Sequence, residues 1–387
     1  MSHQSISTTA SGDRLGIAAA IACITLAGVS LSLSIPLIAL SMETRGASGS
    51  LIGLNTALAG LAVLTVAPVI PWAAATVGVS ALLFGALAVG AVTILAFYVV
   101  EPLWLWFPLR FLFGASFAVL FVVSEFWINA LAPPKSRGLV MGLYGTALSL
   151  GFALGPAIVA STGFTSFAPY AICAGLFAAA AGPVFAAGGS APRIERPEAG
   201  RGVIFFIRLA PAATFAGFVF GAIETGGFTF LPLYGTRVGL DPASATLLGA
   251  AIALGNMLCQ VPLGILSDRM DRARLLLLIG VVGAIGAAAI PLVAQWPIAL
   301  YLMLAAWGGI VSGLYMIGLA LIGGRFAGVD LATANAAFVV MYALGMLVGP
   351  PMLGAGFDVW NPHGAPLAMA LLLGSYAVML AIRRRSP

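Results

Sequence analysis

Gly264-Ile265-Leu266-Ser267-Asp268-Arg269-Met270-Asp271-Arg272-Ala273-Arg274 sets five charges between two apolar runs, 243–266 and 273–293. Each run is about the 20 residues that a bilayer-spanning helix needs. The charges therefore read as a tight turn on one membrane face, which would account for Gly264. The rest of the chain repeats this pattern. Hydrophobic residues make up 61% of the 387 and charged residues 7%, against roughly 25% charged in an ordinary soluble domain. So few charges cannot build an exterior that faces water, and lipid is the solvent that suits the composition. The 48 Gly and 23 Pro are tolerated in spanning helices, where neighbours re-satisfy freed backbone groups.

Twelve runs are predicted to span: 15–41, 50–71, 77–99, 103–128, 138–160, 165–187, 208–235, 243–266, 273–293, 297–322, 332–354 and 364–382. The expected fold is an all-α membrane protein of two six-helix bundles, 1–187 and 208–387. The longest internal break, 188–207, is the expected cytoplasmic linker. With the N-terminus inside, 14 of the 17 Lys and Arg fall on the cytoplasmic side. Arg45 and Arg237 fall outside, and Arg110 alone lies within a span. The positive-inside rule then predicts both termini in the cytoplasm of a bacterium, with the bundle in its inner membrane. Trp104, Trp106, Trp296 and Trp360 fall near outer span ends, as an aromatic belt would.

Gly151, Gly155 and Pro156 of span five recur as Gly345, Gly349 and Pro350 of span eleven, an offset of 194 shared by Gly114 and Gly308. Gly53 and Gly249, and likewise Pro36 and Pro232, are offset by 196. A repeat of about half the chain points to two parallel halves with a substrate site between them.

The charged turn resembles the G-x-L-a-D-r-x-G-r-[RK] signature of the major facilitator superfamily. Arg110 followed by Gly114 resembles the superfamily's span-four pattern. Gly142, Gly151, Gly155 and Pro156 keep the spacing of its span-five pattern, with Val159-Ala160 where a Gly pair would close it. The equivalent loop between spans two and three, Pro71 to Gly78, carries no charge, which leaves any second latch without its residues. Ser124-Glu125-Phe126-Trp127-Ile128-Asn129 and Pro133 to Gly138, with Leu231-Pro232-Leu233-Tyr234, resemble the YcaD-like bacterial subgroup. The resemblance implies a transporter working by alternating access, and its span-five pattern tilts the direction toward export.

Three ionisable groups lie within spans: Arg110, Glu125 and Glu224. A charge at bilayer depth costs at least about 2.5–3.5 kcal/mol, so such groups are paired or functional. Glu224, before Gly226-Gly227, reads either as a proton and substrate carrier or as a neutral acid in a polar packing contact. Arg110 could meet an anionic substrate group or Glu224, or snorkel to the outer surface. Fifteen residues, about 22 Å of helix, keep it from Glu125. Glu125, near Asn129, Lys135 and Arg137, reads as a cytoplasmic gate with Asp268, Arg269 and Arg272, whose alternative role is a solvated basic loop. Asn55, Asn256, Gln260, Trp307 and Tyr315, with Ser30, Ser32 and Ser34, are candidate cavity residues, although most such groups only bridge helices.

No P-loop pattern, CxxC pair or nucleophile–base set occurs, so no enzyme, cofactor or metal site is expected. The expected partners are a small solute, protons and the lipid bilayer, with no nucleic acid, and the chain is expected to be a monomer. The function expected first is proton-coupled transport of a small organic solute, with efflux by antiport favoured. An importer of a nutrient, vitamin or metal ion, or a membrane sensor that transports nothing, would be built from the same parts.

Overall fold

The computed structural model describes residues 10–131, 137–187 and 202–385. They form α1 (Ala10–Thr44), α2 (Gly49–Val66), α3 (Ile70–Val77), α4 (Val79–Val99), α5 (Trp106–Leu131), α6 (Arg137–Thr162) and α7 (Ala168–Ala187). After residue 202 come α8 (Val203–Leu209), α9 (Pro211–Arg237), α10 (Pro242–Arg269), α11 (Arg272–Val293), α12 (Pro297–Gly323), α13 (Gly328–Val359) and α14 (Gly364–Arg385). Among the described residues, 11 helical stretches are long and apolar enough to cross a membrane. In α6 the apolar part, Thr146–Thr162, is shorter. Long helices alternate in direction. We call the end that holds the start of α1 and the close of α14 proximal, and the other end distal.

Several sequence expectations need correction. The helix does not stop at Pro71: a 3-10 turn, Ala67–Val69, carries the chain into α3. Pro71 sits in the first turn of α3, where no N–H is required of it. The chain turns instead at Gly78, whose φ of 88° suits glycine. The charged signature is also mostly helix. α10 runs through Arg269, and the turn is Met270-Asp271, so Gly264 makes no turn and a Cβ there would meet nothing within 4 Å. Residues 203–209 of the expected linker and span seven form α8, with Phe206 buried and edge-on to Phe326. Residues 188–201 of the linker lie outside the described residues. Trp106 is no belt residue: it is fully buried, donates Nε1–H to the Val100 carbonyl at 2.9 Å, and packs edge-on to Phe97.

The repeat marks equivalent helix crossings. Gly151 and Gly155 of α6 lie on α1, and Gly345 and Gly349 of α13 lie on α9. A Cβ at Gly155 would fall 2.3 Å from Leu33 N, and one at Gly349 would fall 2.4 Å from Ala222 Cα. Small residues let backbones touch where lipid gives no hydrophobic drive for helices to associate. Gly114 meets Ala59 of α2, and Gly308 meets Ile252 of α10, at the matching crossings of each half.

At the distal end the two sets of helices are locked together. Gly53 of α2 approaches Pro350 of α13 so closely that a Cβ would fall 2.3 Å from its carbonyl oxygen. Asp358 of α13 accepts hydrogen bonds from Gly49 N at 2.7 Å, Ser50 N at 2.8 Å and Ser50 Oγ at 2.6 Å. A carboxylate thus caps the N-terminus of α2 from the other half, where the helix dipole favours negative charge. Arg237 of α9 donates through Nε and Nη2 to Glu43 Oε1 of α1, at 3.0 and 2.8 Å. At the proximal end α3 packs on α4 and α5 of its own half.

Candidate functional site

Close packing of α9 on α13 builds the site. A Cβ on Gly221 would fall 2.2 Å from the Tyr342 carbonyl oxygen, and one on Gly345 would fall 2.0 Å from that of Phe218. Touching backbones bring the Tyr342 side chain alongside the next turn of α9, where its hydroxyl donates to Glu224 Oε2. Phe220 stacks on Tyr342 at 6.2 Å between centroids, and Tyr315 of α12 meets both rings, at 5.6 and 5.7 Å.

Glu224 lines a cavity with Phe220, Ile223, Phe228, Asn256 and Trp307, where α9, α10 and α12 converge. All of these residues belong to the second half. From the first half, the ring of Phe152 packs on that of Phe228, 5.9 Å between centroids. The cavity is narrow, with about 20 Å³ open to the centre of a water. That is room for about one water, so an organic solute requires the helices to part.

Of the predicted cavity residues, the structure brings Glu224, Asn256 and Trp307 together, with Tyr315 behind them. Asn256 Oδ1 is buried and has no hydrogen-bond partner among the described residues. Trp307 spends its N–H on the Gly283 carbonyl at 2.8 Å, which leaves only its ring to the cavity. Gln260, one turn beyond Asn256, is exposed and outside the lining. Asn55 is fully buried elsewhere and donates to the Trp106 carbonyl at 2.9 Å, so it ties α2 to α5 instead of lining this cavity. Ser30, Ser32 and Ser34 donate to carbonyls of α1, and Ser32 also to Gly151 O at 3.0 Å.

Arg110 does not snorkel. It is 3% exposed, its Nε and Nη1 find no partner among the described residues, and no ion pair joins it to Glu224. Glu125 lies beside the Tyr144 hydroxyl, and Tyr315 is within electrostatic range of both Glu125 and Glu224. The two acids of opposite halves therefore share one polar neighbourhood, with Glu125 on its proximal side. Lys135 lies outside the described residues. In the charged signature, Arg272 donates to the Ala320 carbonyl at the close of α12 at 2.8 Å and lies 3.7 Å from Asp268. Asp271 caps α11 by accepting from Arg274 N at 2.8 Å, and Asp268 and Arg269 are exposed.

Sequence reasoning missed Tyr342 and Phe220, which a run of apolar letters does not distinguish. One signal was available: Tyr342, Gly345 and Gly349 fall at i, i+3 and i+7, on the face that the glycines press against α9.

Known proteins share this architecture. The sequence pattern of the Major Facilitator Superfamily matches residues 20–255 and 213–387. The uncharacterized MFS-type transporter YfkF of Bacillus subtilis (strain 168) is 27% identical over 270 residues, covering 68% of each chain. The uncharacterized MFS-type transporter YcaD of Escherichia coli O7:K1 is 25% identical over 255 residues, 64% of each. Among solved structures, the nucleoside transporter NupG superposes with a TM-score of 0.75 at 15% identity, covering 96% of this chain and 98% of that one. A D-xylose-proton symporter gives 0.70 at 17% identity, with coverage of 94% and 97%.

Proposed function

Because the chain belongs to the Major Facilitator Superfamily, we propose that it is a proton-coupled transporter of a small organic solute, with Glu224 as the coupling group. Its halves, 1–187 and 208–387, rock about the Glu224 cavity, α6 serves as the twelfth span, and the protein works as a monomer. The proximal end faces the cytoplasm and the membrane is the bacterial inner membrane, the orientation that keeps basic residues inside. The observation that carries the reading is the Glu224–Tyr342 hydrogen bond at the edge of a narrow cavity deep in the bundle. An acid there is far cheaper to enclose neutral than ionised. Protonated, Glu224 tolerates closure around it; ionised, it demands water or a cationic partner, which favours an open state. Tyr342 and Tyr315, leading toward Glu125, offer the proton a route from the cytoplasmic side. Export is the direction we assign, on the span-five pattern.

A thermal-shift screen of the purified protein against a solute library, at two pH values, supplies a cargo for the decisive experiment. In proteoliposomes, Glu224→Gln is expected to lose accumulation driven by an imposed pH gradient while retaining exchange of cargo across the membrane. Full accumulation by this variant would remove Glu224 from the coupling.

A further inference from the structure

We infer that the cargo received at the Glu224 cavity is an organic cation: an ammonium-bearing molecule with an apolar or aromatic body. The inference rests on the transporter reading and names its substrate class. The lining contains one acid and no basic side chain among the described residues. Two of its donors are already spent, Trp307 Nε1–H on Gly283 O and the Tyr342 hydroxyl on Glu224. Apart from the amide N–H groups of Asn256, what stays on offer is acceptors and ring faces. Tyr342 occupies one oxygen of Glu224, Oε2, and a carboxylate has acceptor sites to spare. Asn256 adds an Oδ1 that is buried and without a partner among the described residues. Phe220, Phe228 and Trp307 supply aromatic walls.

A buried acceptor without a donor is costly, and a cation beside aromatic faces is attracted to them. An ammonium satisfies both acceptors and the ring faces at once. An anion would meet ionised Glu224 with like charge, and a neutral solute would bring that carboxylate no counter-charge. The titratable groups facing Glu224 are Tyr342 of α13 and Tyr315 of α12, with Glu125 of α5 on the far side of Tyr315. None of these is a cation at neutral pH. Arg110, the cation within the spans among the described residues, makes no ion pair with Glu224. Proton and cargo cation would therefore occupy Glu224 in turn: binding the cation releases the proton to water, and reprotonation expels the cation.

The test uses the full chain, purified in detergent, and equilibrium dialysis at neutral pH. The probes are 1-naphthylmethylamine, its neutral analogue 1-naphthylmethanol, the anion 1-naphthoate, and tetraphenylphosphonium, a cation without N–H groups. Both cations are expected to bind, the amine roughly 10- to 100-fold more tightly than the alcohol, as one charge-assisted contact gives. Glu224→Gln should erase that preference and Glu224→Asp should keep part of it. Asn256→Ala should weaken the amine and spare tetraphenylphosphonium. Because the wild-type ranking involves no variant, it stands even if a variant misfolds. Equal binding of the alcohol, tighter binding of the anion, binding of neither cation, or cation binding unchanged in a folded Glu224→Gln protein would each overturn the assignment. Protons released on binding are read separately with a pH indicator. Selective cation binding without proton release would uphold the cation and defeat proton coupling.

Discussion

The two ends of the seam between the halves are built on different principles. The distal end is closed by backbone contact, with Gly53 against Pro350, and is fastened by Asp358 on the α2 N-terminus and Glu43 on Arg237. Toward the proximal end the polar groups are not latches. Glu224, Tyr342, Tyr315, Tyr144 and Glu125 lie in succession across the seam. One end pairs acids with a guanidinium and a helix N-terminus; the other sets its acids beside tyrosine hydroxyls, Glu224 with Tyr342 and Glu125 with Tyr144. In an alternating-access cycle the first must come apart when the second comes together.

Breaking the closed end should shift the cycle by amounts that follow the contacts. Gly53→Leu is expected to act most strongly, because its side chain has no room beside Pro350. Overpacking costs about 1–3 kcal/mol, which moves a two-state balance roughly 5- to 150-fold. A cysteine reporter at Phe357, a residue buried in the distal seam, should then react with a membrane-impermeant maleimide that spares the parent. Asp358→Ala removes the cross-half cap and, at an exposed site, should cost about 1 kcal/mol, raising the same labelling rate several-fold. Glu43→Gln should do least. Arg237 is 47% exposed, so the pair contributes about 0.5 kcal/mol, and high salt should reproduce most of the effect of the substitution. An order in which Glu43→Gln exceeds Gly53→Leu would mean that charge, not backbone contact, closes this end.

The spans were legible because lipid forces long apolar runs, and the repeat was legible because glycine at a helix crossing has no substitute. Glu224 stood out as a lone acid in such a run. The errors came where a letter has two physical uses. Pro71 can end a helix or begin one, and here it begins α3. Trp106 can sit in a belt or in a core, and its indole N–H found the Val100 carbonyl. Gly264 can mark a turn or lie within a helix, and here it lies within α10 while the turn falls at Met270-Asp271. The distal fasteners were passed over because orientation was read from basic residues alone, while their partners are the acids Glu43 and Asp358. Tyr342 was invisible for a different reason: what singles it out is the approach of α13 to α9, which only tertiary structure supplies.

Under the proposed cycle the two ends open by turns under the control of Glu224. Spin labels in a cysteine-free background can report both ends, one pair at Glu101 and Gln295 for the distal side and one at Thr76 and Arg274 for the proximal side. Acidification should change the two interspin distances in opposite directions, and Glu224→Gln should hold both at the acidic values at every pH. Distances that move in the same direction, or that respond to pH equally in Glu224→Gln, would contradict it.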